Sequence, residues 1–127
     1  MKIDSHIHVT PPDIIENWRS VAEREPYFSL LSHSKSNRFA TAENVIAELD
    51  RYGYHKAVIF GFAFQDMGLC RAVNDYVMDS LRRFPERLIG FMVLSPNAGP
   101  KALSRELRRC LAGGMRGVGE LFPQGQG

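Results

Sequence analysis

Cysteine is scarce in this chain. Cys70 and Cys110 are the only two in 127 residues, they are widely separated, and neither belongs to a CxxC pair, which excludes a disulfide scaffold. Both fall within helical patterns and read as small buried hydrophobes of a reducing compartment. No apolar run is long enough to span a membrane, and no charged region followed by an apolar core opens the chain, so the expected location is cytoplasmic. An excess of one charge is also missing. Lys and Arg number 16 against 14 Asp and Glu, leaving a net charge of +2. Arg82-Arg83 and Arg108-Arg109 sit on amphipathic patterns and read as solvated helix faces rather than a nucleic-acid surface. Gly113-Gly114-Met115-Arg116-Gly117 lacks both the Lys-Ser/Thr ending of a phosphate loop and the Rossmann glycine spacing. No Ser-His-Asp or Cys-His nucleophile pattern, linker or low-complexity tract is legible.

What is present is the patterning of a single globular domain over residues 1–127. Hydrophobic residues make up 44% and charged residues 24%, which is ordinary for a soluble domain with a core of its own. The segment from Lys2 to His8 reads as a strand. Pro11-Pro12 opens a helix carrying Ile14, Ile15, Trp18, Val21 and Ala22 to about Arg24, ended by Glu25-Pro26. Tyr27 to Arg38 has no clear period and reads as a long loop or short irregular helix. Thr41 is the expected cap of a helix carrying Val45, Ile46, Leu49 and Tyr52, with Gly53 closing it in the left-handed region. Lys56 to Phe64 is almost continuously apolar, as in a strand covered on both faces. A third main helix follows through Val73, Val77, Leu81 and Phe84. Leu88 to Leu94 is the third strand, Leu103 to Leu111 the fourth main helix, and Arg116 to Phe122 the fourth strand.

Strands alternating with helices predict right-handed βαβ crossovers and a parallel α/β sheet of four βα units. An open flavodoxin-like sheet and half of a barrel both fit that order.

The chemistry is concentrated at strand ends. Residues two apart on a strand share a face, so Asp4, His6 and His8 are expected together, with Ile3, Ser5 and Ile7 opposite. Two imidazoles at the carboxyl end of a strand can reach one divalent ion, and burying them with a carboxylate and no partner would be costly. The carboxyl end of the first strand of a βα chain is also where barrel enzymes place their sites. Glu120, in Gly117-Val118-Gly119-Glu120-Leu121, lies near the carboxyl end of the fourth strand and is the second candidate ligand. Phe62, Phe64 and Gln65 follow the second strand at that same end, as packing or as a pocket wall. His55 falls at the amino end of the second strand, away from such a site. His33 lies in the long loop and would approach the site only if that segment folded over it.

Four segments together resemble the amidohydrolase superfamily, in particular the amidohydrolase-related family that includes aminocarboxymuconate-semialdehyde decarboxylase. They are Ile3-Asp4-Ser5-His6-Ile7-His8, Asn74-Asp75-Tyr76, Phe84-Pro85-Glu86-Arg87-Leu88-Ile89-Gly90-Phe91, and Gly117-Val118-Gly119-Glu120-Leu121. The likeness covers the whole chain but only the N-terminal half of such a protein. It implies half of a (β/α)8 TIM barrel, parallel strands with covering helices. It further implies His6 and His8 as metal ligands, Glu120 as a ligand in some relatives, and a divalent metal, often zinc. The activity it implies is a metal-dependent hydrolase in which activated water attacks a small amide, ester or lactone. A non-oxidative decarboxylase of the same family is the alternative, and a non-catalytic metal-binding module is the reading from another class. A phosphoesterase is disfavoured by the Phe84–Phe91 segment. Later strands of the family supply further histidines and a proton-handling aspartate, so no catalytic residue is assigned here. The half-length match and the exposed edges of strands one and four leave two expectations, a fragment of a longer enzyme or a homo-oligomer that completes the barrel.

Overall fold

A computed structural model describes residues 1–127. Four strands alternate with helices: β1 (Ile3–His8), β2 (Lys56–Phe60), β3 (Leu88–Met92) and β4 (Gly117–Val118). They pair in parallel in the order β1-β2-β3-β4, the sequential arrangement of an α/β half-barrel. Between β1 and β2 run α1 (Pro12–Glu16), α2 (Trp18–Ala22), α3 (Pro26–Ser32) and α4 (Ala42–Tyr52). The long helix α5 (Met67–Arg83) links β2 to β3, a 3₁₀ turn (Pro96–Ala98) and α6 (Pro100–Ala112) link β3 to β4, and α7 (Pro123–Gln126) follows β4.

Local rules account for most boundaries. The Thr41 hydroxyl accepts from the Asn44 backbone N–H, and the Asn44 side chain accepts from the Thr41 N–H, a reciprocal cap that starts α4. Gly53 ends that helix at φ +70°, a conformation in which a Cβ would be strained. Asp66 caps α5 by accepting from the Leu69 N–H at 2.8 Å.

The structure departs from the sequence-based expectation at several elements, with β2 ending at Phe60 rather than Phe64 and β3 at Met92 rather than Leu94. The first expected helix is two short ones, broken at Asn17. Of the two readings of the Tyr27–Arg38 segment, the short helix holds for its first part, because Pro26 at the first turn starts α3, which runs to Ser32. The fourth strand is two residues long, so Glu120 lies just beyond it.

The strand face turned to the helices is the dry one. Ala57 and Ile59 of β2 pair with Leu88 and Gly90 of β3, and all except glycine present apolar side chains to α5 and its neighbours. A Cβ on Gly90 would meet Val77 and Leu81 at 2.9 and 2.8 Å, which shows how closely α5 lies on the sheet. Val73, Val77 and Cys70 of α5 are fully buried in this layer. The opposite, inner face carries Val58, Ile89 and Phe91, which stay half-buried.

Buried polar groups tie the helices to the carboxyl ends of the strands. Asn74 on α5 accepts from the Val93 N–H and donates to the Val93 carbonyl, both at 2.9 Å, and donates at 3.0 Å to Glu106 on α6. Burial would raise the Glu106 pKa, but hydrogen bonds from Arg109 and Asn74 outweigh it and hold the carboxyl below its ordinary value. Glu25, also buried, accepts from the Gln65 and Asp66 N–H groups at 2.7 and 2.8 Å, fixing the turn after β2.

Candidate metal centre

His6 and His8 end β1 with their rings 5.2 Å apart, and Glu120 reaches them from the turn after β4. The His6 Nε2 lies 3.6 Å from Glu120 Oε2, and the His8 Nε2 lies 3.7 Å from Glu120 Oε1. One ligand atom from each residue falls within 4.8 Å of the other two. Donor atoms that share an ion at about 2.0–2.2 Å are themselves roughly 3–4 Å apart, and both histidine–glutamate separations fall in that range. The donor chemistry fits as well, since two imidazoles and a carboxylate suit zinc, manganese and similar ions.

His8 is oriented by its surroundings. Its Nδ1 lies 3.2 Å from the Gly61 carbonyl; donating there leaves the Nε2 lone pair directed at the centre. The ring stacks on Phe62 at 4.4 Å and 7° and meets Phe60 edge-on. Burial lowers the His8 pKa, against an opposing pull from the Glu120 charge, which favours the neutral, ligating form. His6 is the open side of the cluster, with 59% of its side chain exposed against 22% for His8.

Glu120 has a partner that sequence reasoning did not find. The Tyr27 hydroxyl of α3 donates to Glu120 Oε1 at 3.1 Å. Burial, then the charge and hydrogen bond of Glu120, push the Tyr27 phenol up to about 12, so it stays a donor at neutral pH. The two residues are 93 positions apart, and no pattern in the chain links them.

Asp4 does not join the cluster, contrary to the alternation expected for β1. Ile3 and Asp4 pair with Lys56 and Ala57, but Ile7 and His8 pair with Ile59 and Phe60, so β1 carries one extra residue between Asp4 and Ile7. A shift of one residue reverses which face a side chain occupies. Asp4 and Ile7 therefore face α4, where they line a cleft with Val45 and Leu49, while His6 and His8 face inward.

The remaining expectations separate cleanly. Phe62 packs on His8 and lines the central cleft. Phe64 is core, 1% exposed, and Gln65 contributes its backbone N–H to Glu25. His55 accepts from the Lys2 N–H at the amino end of the sheet. His33 closes α3, its ring packed against Trp18. The cleft beside the cluster, about 480 Å³, is walled on its far side by Ser34, Ser36, Asn37 and Arg38 from the segment after α3. That segment does approach the site, although His33 itself does not line it.

No family model matches the chain, and no curated protein matches it in sequence. Solved structures do match in fold. The 5-carboxyvanillate decarboxylase of Novosphingobium aromaticivorans, solved with manganese, superposes with a TM-score of 0.73 at 21% identity, over 93% of this chain and 40% of that one. A 2,6-dihydroxybenzoate decarboxylase from Rhizobium gives 0.65 at 21% identity, over 99% and 41%. The 4-oxalomesaconate hydratase of Rhodopseudomonas palustris gives 0.61 at 23% identity, over 93% and 40%. The chain thus spans about 40% of the length of these structures. At these identities the likeness speaks for architecture alone, and the architecture it gives this chain is an α/β half-barrel.

Proposed function

We propose that His6, His8 and Glu120 hold one divalent cation and that the chain is part of a metal-dependent enzyme acting on a small molecule. The observation that carries this is the convergence of three ligand atoms within 4.8 Å, brought from opposite ends of the chain to the carboxyl side of the sheet. A bound cation supplies Lewis-acid polarisation and makes water nucleophilic near neutral pH. His8, neutral and held by the Gly61 carbonyl, offers Nε2; His6 offers its exposed ring; Glu120 supplies the negative charge. Phe60 and Phe62 close one side of the imidazoles to water. The metal is zinc in the reading from sequence, and manganese is equally compatible with this donor set.

The reaction proposed first is hydrolysis of a small amide, ester or lactone. A non-oxidative decarboxylation is the second reading, and two observations favour it. Arg38 is the one Lys or Arg side chain lining the cleft, which suits a carboxylate on the substrate, and decarboxylases of carboxylated aromatics recur among the structures of this fold. We further propose that residues 1–127 form one domain, that it works in the cytoplasm, and that β1 and β4 pair with strands of a second copy to complete a barrel. Both edge strands are unpaired on their outer sides, and Ile3 and Val118 on them are 44% and 42% exposed. No helix is long and apolar enough to cross a membrane.

The test is elemental analysis of the protein purified without chelators. It should carry a divalent ion that the double variant His6→Ala, His8→Ala loses. Equal metal content in the variant would sink the assignment. Turnover of carboxylated aromatics against amides and lactones then separates the two reactions.

A further inference from the structure

Tyr27 lies outside the three proposed ligands, yet it is the one side chain that donates a hydrogen bond to any of their carboxylate oxygens. It is fixed from several sides. Its ring stacks on Phe122 at 3.9 Å and 18°. A Cβ on Gly125 would fall 2.4 Å from the Tyr27 Cβ and 2.9 Å from its Cγ, so the backbone of α7 runs flush against the phenol. Pro26 starts α3 at the neighbouring position.

The segment that bears Glu120 is anchored just as firmly. Gln126, 3% exposed, donates to the carbonyls of Phe64 and Leu94 at 2.9 and 2.8 Å and accepts from the Phe122 N–H at 3.0 Å. The backbone around Glu120 is therefore held, and what remains free is the rotation of its carboxylate. Tyr27 removes that freedom by donating to Oε1, the oxygen nearer His8, which leaves Oε2 facing His6.

We propose that Tyr27 is a positioning residue for the metal centre, setting the rotamer of Glu120 so that both carboxylate oxygens point into the space between His6 and His8. This rests on the metal reading above. A hydrogen-bonded partner of a ligand typically contributes 10- to 100-fold in metal affinity. It does so because an oriented carboxylate loses less rotameric freedom when the ion arrives.

The experiment is a double-mutant cycle in Co²⁺ binding, followed by visible absorption, with wild type, Tyr27→Phe, Glu120→Ala and the double variant. Tyr27→Phe is expected to weaken Co²⁺ binding about 10- to 100-fold and to change the absorption bands, since the ligand geometry changes. In the Glu120→Ala background the same substitution should leave the affinity within about twofold, because the interaction it removes is already gone. Phenylalanine keeps the stack on Phe122, so the metal-free Tyr27→Phe protein should melt close to wild type. Equal affinity in wild type and Tyr27→Phe overturns the inference alone. An equal loss in both backgrounds also overturns it, by making Tyr27 a packing residue only. A wild type that binds no Co²⁺ overturns the metal reading and this inference with it.

Discussion

At the scale of the residue, the two cysteines and Glu25 show how burial sets chemistry. Burial first, then the nearby Glu25 and Asp66 charges, push the Cys70 thiol up to about 12. Burial and the adjacent Glu106 do the same for Cys110. The thiolate is the reactive form, so neither cysteine should react with Ellman's reagent in the folded protein. Modification should track unfolding, and fast labelling without denaturant would contradict the burial described here. Glu25 presents both oxygens to backbone N–H groups of the turn after β2. Glu25→Ala would leave two donors unmatched and is expected to cost about 2–3 kcal/mol in chemical denaturation.

Elements meet in this fold at contacts that leave no room for additional atoms. A Cβ on Gly61, just past β2, would come within 2.2 Å of the Val73 Cγ1 on α5. Gly61→Ala should therefore destabilise the fold by about 1–3 kcal/mol through overpacking. It should also weaken metal binding, since the Gly61 carbonyl orients His8. Between α5 and α6 the contact is electrostatic. The Glu106 pKa is depressed in the folded state, so its contribution is complete above the unfolded-state value and is lost as the pH falls through that value towards the folded one. Stability should therefore decline on acidification below about 4.5, the ordinary value. Urea midpoints across that range should fall less steeply for Glu106→Gln than for wild type, once its lower starting stability is allowed for. The Asn74-Asp75-Tyr76 segment of α5 makes structural contacts. Asn74 grips Val93, Asp75 pairs with Arg109, and Tyr76 accepts from the Ala42 N–H at 2.9 Å. Arg87 of the Phe84–Phe91 segment likewise donates to the His55 carbonyl and pairs with Asp50. These two segments serve the scaffold rather than the centre.

For the whole molecule, the open edges are the dominant feature. A parallel sheet with unpaired N–H and C=O rows on both flanks, and a half-exposed inner face, is a template for further strands. The chain of residues 1–127 is expected to sediment as a dimer or larger species. Val118→Lys on β4 should shift it towards monomer by placing a charge on that edge. A stable, well-folded monomer of the unsubstituted chain would argue against barrel completion by a second copy.

Short-range physics made much of this legible in the sequence. Helix caps at Thr41 and Gly53, the apolar run of β2 and the regular βα period depend on neighbours within a few residues, and they predict four parallel strands; the half-barrel, as against an open sheet, is implied by the family resemblance. The His6-His8 pair belongs to that class, because both lie on one strand end. Three features are settled only by tertiary structure. The extra residue in β1 that turns Asp4 towards α4 depends on pairing with β2. The brevity of β4 depends on where β3 ceases to offer partners. The bond from Tyr27 to Glu120 joins side chains 93 positions apart. Local sequence determines which elements form and which of them carry ligand-type residues; the packing of distant elements decides which side chains meet.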